Sequence, residues 1–308
     1  MKSRQLIFSN AERQKYISNG CDLSRLQVGT THFSPAGYEA QAKTFEIWKP
    51  TLGPLADKLT CMEMVLDGKR REIPGSIVIR GTARNAVWQK EPLTNLFIRN
   101  LDPQTEFVGL FDHDMTPVDP DCYAKALELL KAGYCGVQLF RDVRYLNPDG
   151  VTTEAKQFGV TAYPERGPGT NPGGSWMFRR DWLDEIGGIS CDSPFGGGDR
   201  VLGVLVNGYT DFLLEYSPGC RDAVNDWVRN AEKTKPSFTF VDSEMLHWWH
   251  GSMFHRLYME RQRLFMKHNV TPGRDYYVNG RGLLEFAGNK PELQRDVLAY
   301  FRGRREDG

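Results

Sequence analysis

The chain has 308 residues, 40% of them hydrophobic and 25% charged, with 39 basic side chains against 39 acidic ones and a mean hydropathy of −0.49. That length is the upper edge of one globular core, and no apolar run approaches the roughly 18–20 residues of a membrane span. A net charge of zero argues against coating nucleic acid by bulk electrostatics, and the aromatic content without repeats excludes a collagen, a coiled coil or a disordered tail.

Residues 1–28 are polar and weakly periodic and read as an N-terminal arm; Met1-Lys2-Ser3-Arg4-Gln5 leads into no apolar stretch of a secretory signal. Leu59–Leu66 followed by Asp67-Gly68 predicts a buried strand closed by a turn, and Ser76–Gly81 a shorter one. Ala86 to Asn100 carries Val87, Leu93, Leu96 and Phe97 at helical spacing. Glu106–Phe111 predicts a strand that runs directly into Asp112-His113-Asp114. Asp119-Pro120-Asp121 starts a helix through Tyr123, Ala126, Leu127 and Leu130 to Gly133, with Pro early and Gly late. Gly136–Phe140 predicts the next strand, and this alternation describes an α/β domain with a mostly parallel sheet. The Gly- and Pro-rich stretch 167–174 is expected to be irregular, ahead of the apolar run Ser175–Phe178 and a helix from Arg180 to Ile186. Phe195-Gly196-Gly197-Gly198-Asp199 opens another helix through Val201, Leu202, Leu205 and Val206. The last quarter is rich in Arg, Tyr and His and ends on a helical pattern at Leu293, Val297, Leu298 and Phe301. Cys21, Cys61, Cys122, Cys135, Cys191 and Cys220 lie far apart and read as free thiols of a reducing compartment.

Chemistry concentrates in a few places. Asp112 and Asp114 follow an apolar strand, where ligands gather in open parallel sheets. Two carboxylates one residue apart offer hard oxygens to Mg2+ or Mn2+ holding a diphosphate, although a bare D-x-D is also a common solvated turn. His247-Trp248-Trp249-His250-Gly251 sets two imidazoles three apart on a helix or turn, suited to a borderline metal. Alone, that segment reads as core histidines; beside a D-x-D it reads as the completion of a metal site. Asp199 follows glycines that allow close backbone approach, and serves as a general base or as a helix N-cap. Trp88-Gln89-Lys90-Glu91, with Asn95, puts Lys90 at a helix start, where it meets a phosphate or stays a surface lysine.

Taken in order, these pieces resemble the metal-dependent nucleotide-sugar glycosyltransferases of the GT-A fold, the galactosyltransferase-type branch and its bacterial and phage relatives in particular. The pattern is W-Q-K-E…N, a strand into D-x-D, G-G-x-x-x-F at Gly173 to Phe178, a glycine-rich turn holding an acid, and H-x-x-H-G; the likeness spans roughly residues 30–255. The terminal Tyr300 to Asp307 also looks like tails in such relatives. The resemblance implies an α/β GT-A-type nucleotide-sugar-binding fold with a mostly parallel central sheet flanked by helices. It divides the chain into the arm 1–28, a glycosyltransferase domain 29–255 and a helical extension 256–308 packed on it. It implies Asp112 beside the ribose or metal, Asp114 as direct metal ligand, His250 as the further ligand and His247 as its competitor. Lys90 stands where the family often has an arginine touching the nucleotide, with Trp88 and Gly174 in the same donor site. Asp199 matches the base of the inverting branch; the family commonly reads W-G-G-E-D where this chain has Phe195 to Asp199.

The implied activity is hexosyl or pentosyl transfer from a nucleotide-sugar donor, a UDP-sugar, with Mn2+ or Mg2+, in the cytoplasm. Polysaccharide, protein or a hydroxymethylated phage DNA base is the implied acceptor. Two other readings compete: a catalytically degenerate sugar-nucleotide-binding module on the same fold, and a metal-dependent hydrolase built on Asp112, Asp114, His247 and His250. The stretch Arg256 to Arg263 reads either as a phosphate contact or as an exposed helix of mixed charge.

Overall fold

The computed structural model describes residues 22–307, so residues 1–21 of the expected arm, Cys21 among them, lie outside the described residues. The end of that span is a strand: β1 (Leu26–Phe33) begins inside it and takes a central place in the main sheet. Leu26 and Val28 are its only aliphatic residues, and Thr30, Thr31 and His32 break any apolar run, so composition hides it.

The chain continues through α1 (Ala40–Trp48), a 3₁₀ stretch (Lys49–Lys58), β2 (Leu59–Leu66), β3 (Ile77–Gly81), α2 (Lys90–Arg99) and β4 (Phe107–Leu110). Then come β5 (Met115–Pro117), α3 (Cys122–Lys131), β6 (Gly136–Gln138), β7 (Asp142–Leu146), β8 (Thr153–Gly159), β9 (Thr170–Asn171), β10 (Trp176–Arg179) and α4 (Arg180–Glu185). The remainder is α5 (Gly198–Asn207), α6 (Pro218–Glu232), β11 (Phe238–Phe240), β12 (Glu244–His247), α7 (Tyr258–His268), the hairpin β13 (Tyr276–Val278) and β14 (Leu284–Phe286), and α8 (Pro291–Gly303).

The main sheet has the order β11-β6-β10-β4-β1-β2-β3, and every strand but β10 runs parallel to the rest. This is the mostly parallel sheet that the alternation of elements predicts. Strand alternation sends Leu26, Val28, Cys61, Val137 and Met177 to one side, against α1 and α3. Met62, Met64, Val108, Trp176 and Phe178 go to the other, against α2 and α4. Wholly buried side chains such as Trp48 each contribute about 1.5–3 kcal/mol. Trp48 also donates its indole N–H to the Met115 carbonyl at 2.7 Å, fixing the start of β5.

A second sheet, β5-β12-β7-β8-β9, stands beside the first. The 167–174 stretch is therefore not wholly irregular: Thr170 and Asn171 pair with Phe158 and Gly159. From residue 256 on, the expected helices are present with a β-hairpin between them, and this region shares a core with α5 and α6. Gln89 fastens that hairpin to the front of α2, donating to the Leu284 carbonyl at 2.8 Å and accepting from its N–H at 3.0 Å. Among the described residues the cysteines are free, and no helix is long and apolar enough to cross a membrane.

From β1 the chain moves to β2 and β3 on one side and returns to β4 on the other. Strand order thus reverses between β1 and β4, and a crevice opens outside their carboxyl ends.

Candidate functional site

Phe111 extends β4 by one bond, its N–H donating to the Gly29 carbonyl at 3.0 Å, and the chain then leaves the sheet at Asp112. His113 turns into an aromatic nest, its ring 5.7 Å from that of His32, 6.0 Å from Phe45 and 6.4 Å from Trp48. Burial, with His32 adding to it, pushes this imidazole down to about 3, so a neutral ring anchors the turn. Asp112 and Asp114 on either side line the crevice.

The second sheet supplies the imidazoles. β12 pairs antiparallel with β5, setting His247 opposite Met115, and the Trp248 N–H donates to the Asp114 carbonyl at 2.7 Å. The H-x-x-H pair therefore sits on a strand end and the loop after it. His250 Nε2 lies 2.9 Å from Asp114 Oδ2 and His247 Nε2 lies 3.5 Å from the same oxygen. One ligating atom from each of the three residues falls within 4.8 Å of the others. His247 Nδ1 donates to the Trp248 carbonyl at 2.9 Å, which leaves Nε2 as a lone pair facing Asp114. Burial outweighs the pull of Asp114 and pushes His247 down to about 3, so the ring is neutral. Asp114 is the reverse case: burial raises its carboxyl, but His247, His250 and His113 together hold it well below the usual carboxylate range.

Two buried atoms at this point, Asp114 Oδ1 and His250 Nδ1, have no hydrogen-bond partner. A carboxylate and two imidazoles with an unsatisfied oxygen fit a divalent cation of borderline character. Arg256, in the turn before α7, donates to the Nε2 atoms of His247 (3.4 Å) and His250 (3.2 Å). The sequence offers the stretch it opens as a phosphate contact or an exposed helix and does not place Arg256 on the histidines.

Asp112 is not part of the three-residue donor group. Lys90, at the first position of α2, reaches its two oxygens at 2.6 and 2.9 Å. Burial opposes the charge of both partners. For Lys90 the pull of Asp112 and Asp199 wins and the ammonium is held above its ordinary value; for Asp112 burial wins over Lys90 and the carboxyl is raised.

Asp199 lies in the first turn of α5, whose N-cap is Gly197, so it is not the cap that its position after the glycines offered as an alternative. Its Oδ1 accepts the Arg200 N–H at 2.9 Å. A Cβ at Gly173 would overlap Asp199 Oδ2, which makes Gly173, the first residue of the G-G-x-x-x-F pattern, the floor on which this carboxylate rests. Gly174 has φ +89°, and a Cβ there would stand 2.6 Å from Met115 Sδ. Glu91, beside Gly198, is buried; despite Lys90 that burial pushes it up to about 7. Trp88 stacks on Phe301 with centroids 6.4 Å apart, and its indole nitrogen is buried without a partner. Asn95 turns away from the crevice, donating to the Ile189 carbonyl at 2.7 Å and accepting from its N–H at 2.8 Å.

All eight residues singled out from the sequence, Trp88, Lys90, Asp112, Asp114, Gly174, Asp199, His247 and His250, line one cleft of about 450 Å³. The cleft can hold a divalent cation at one end and accept a proton at Asp199.

No protein-family model and no curated protein matches the sequence. Among solved structures the chain is similar to a mannosyltransferase from Pyrobaculum calidifontis in complex with GDP-Man and Mn2+, at 12% identity over 96% of this chain and 76% of that one, with a TM-score of 0.43. It is similar to glucosyl-3-phosphoglycerate synthase from Mycobacterium tuberculosis in complex with Mn2+, UDP and glucosyl-3-phosphoglycerate, at 13% identity, 85% and 83% coverage and a TM-score of 0.40. It is also similar to the catalytic domain of Drosophila beta1,4-galactosyltransferase 7 in complex with xylobiose, at 10% identity, 70% and 63% coverage and a TM-score of 0.34.

Proposed function

We propose that this chain is a metal-dependent glycosyltransferase that moves a sugar from a nucleotide-diphosphate donor, a UDP-sugar, to an acceptor hydroxyl with inversion. One observation carries the reading: Asp114, His247 and His250 converge on a point in the same cleft that presents the carboxylate of Asp199. A divalent cation held there by those three side chains would neutralise the departing diphosphate as a Lewis acid. Two imidazoles in the set favour Mn2+ over Mg2+, which prefers oxygen and water.

The chain's own groups do the rest. Lys90 fixes the carboxylate of Asp112 at the sheet switch point, where it stands by the nucleoside ribose, and its ammonium adds positive charge toward the phosphates. Trp88 and Gly174 complete the donor wall. Asp199 takes the proton of the acceptor hydroxyl as that oxygen attacks the anomeric carbon from the face opposite the diphosphate. Residues 29–255 form the catalytic domain in this reading, and the extension 256–308 closes the cleft with Arg256 and α7. A hydrolase on Asp112, Asp114, His247 and His250 fits less well, because Asp112 is engaged by Lys90 and stands outside the donor group.

The test is thermal stabilisation by a panel of nucleotide sugars with and without Mn2+, followed by assay of donor turnover. Stabilisation should require nucleotide and Mn2+ together and vanish in Asp114→Ala. Asp199→Asn should keep it while transfer falls by about 10²–10⁴-fold. Stabilisation that is indifferent to metal, or normal transfer by Asp199→Asn, contradicts the reading; tight binding with no turnover in the unaltered chain identifies a binding module instead.

A further inference from the structure

Helix α7 turns charged residues inward. The run Glu260-Arg261-Gln262-Arg263 leaves Arg263 in solvent, yet Arg261 and Gln262 are each only 8% exposed and line the cleft. Among the described residues the Arg261 guanidinium has no hydrogen-bond or ion-pair partner. Its side-chain neighbour is the Tyr258 ring, 4.9 Å from centroid to guanidinium carbon. It also lies against bare backbone: a Cβ at Gly196 would stand 3.0 Å from Nη1 and one at Gly197 3.4 Å from Nη2. Both glycines have positive φ, +98° and +101°, and they carry the turn that presents Asp199. Arg200, adjacent to Asp199, lies over the Phe212 ring at 4.5 Å and likewise has no side-chain hydrogen bond or ion pair among the described residues.

The other cations of the cleft are engaged. Arg304 pairs with Glu306 at 2.5 Å and Tyr300 at 3.0 Å, Lys90 with Asp112, and Arg256 with the imidazoles. Polar atoms next to Arg261 share its condition: Gln262 Oε1 and Trp88 Nε1 are buried and unpartnered. Glu91 feels the charge of Arg261 but makes no ion pair with it; a buried guanidinium whose donors are unmet is costly unless a ligand meets them, and its fork matches two oxygens of a phosphate or carboxylate. Because this guanidinium lies against the Gly196-Gly197 turn that presents Asp199, the charge it awaits is on the acceptor.

We propose that Arg261, assisted by Arg200, binds an oxyanion carried by the acceptor, so that the substrate receiving the sugar is an acidic molecule bearing phosphate or carboxylate near its reactive hydroxyl. This rests on the glycosyltransferase reading for what the anion is attached to. The test loads the full chain with Mn2+ and UDP, so that the donor end is filled, and titrates inorganic phosphate or acetate at constant ionic strength by calorimetry. The unaltered chain should bind at least one of them; phosphate alone assigns phosphorylated acceptors, acetate alone carboxylated ones. Arg261→Gln should weaken that binding about tenfold or more, Arg261→Lys should restore only part of it, and Mn2+–UDP binding should be the same in all three. Arg200→Gln should weaken anion binding to a smaller degree. Absence of anion binding in the unaltered chain, or equal binding by Arg261→Gln, overturns the proposal. If Mn2+–UDP does not bind, the donor reading falls instead, and the same titration of the unloaded chain against Arg261→Gln still decides the anion site.

Discussion

Asp112 and Asp114, one residue apart on the same turn, are held in opposite states. Burial lifts the first although Lys90 touches it, while the imidazoles hold the second low. The difference comes from which partners tertiary structure brings to each: Lys90 to Asp112, and the imidazoles of His247 and His250 to Asp114. Glu91 is a third buried acid, 5% exposed, and its carboxyl sits at about 7 against an ordinary value of 4.5, with burial as the main cause. A raised acid binds its proton more tightly in the folded state, so its contribution is complete below about pH 4.5 and is lost as the pH rises through 7. Glu91→Gln, which keeps the shape without the charge, should therefore gain stability relative to the parent by about 2–3 kcal/mol between roughly pH 5 and pH 8 in urea titrations. A pH-independent difference would mean that the carboxyl is not desolvated. The residues that motifs announce, the two aspartates, the histidine pair and Asp199, were legible because few structural tasks need those types at those spacings. Arg256 and Arg261 were legible only as an open choice between a phosphate contact and a solvated helix of mixed charge, and tertiary packing decides it, setting Arg256 against the imidazoles and Arg261 against the glycine turn.

At the scale of elements, β2 and β4 and helices α2, α3 and α8 follow from apolar periodicity, because each buries one regular face. β1, β7, β8 and β12 are hidden for a physical reason: β8 has no continuous buried face, β7 and β12 mix Asp142, Arg144, Glu244 and His247 among their apolar residues, and β1 is broken by Thr30, Thr31 and His32. Most of the second sheet is therefore invisible in composition, although it carries His247. The loop between β9 and β10 shows how an element serves a site. Gly173 is not in a left-handed conformation, so replacing it creates no backbone strain; the added methyl meets the Asp199 carboxylate first, and then Asn171 Oδ1 at 3.4 Å. Gly173→Ala should therefore melt near the parent temperature and keep Mn2+–UDP binding, while transfer drops by about 10–100-fold as Asp199 is pushed from its place. An unaltered rate would remove Asp199 from the reaction.

Over the whole molecule, segments far apart in sequence meet because two sheets abut at the strand-order reversal. The loop after β4 provides the aspartates, the end of β12 the imidazoles, and the C-terminal region the cationic wall. The chain's end closes the arrangement: the Asp307 carboxylate accepts the Glu39 and Ala40 N–H groups at 2.9 and 2.7 Å, at the start of α1. Net charge near zero is thus compatible with a cleft that holds several guanidinium groups, since acids elsewhere balance them. The proposed chemistry requires Asp114, His247 and His250 to meet around one cation. Pulsed electron paramagnetic resonance of the full chain with Mn2+ and UDP addresses it directly. Nitrogen couplings from two imidazoles, reduced to one by either His247→Ala or His250→Ala, are the predicted result; bound Mn2+ with no nitrogen coupling would contradict it.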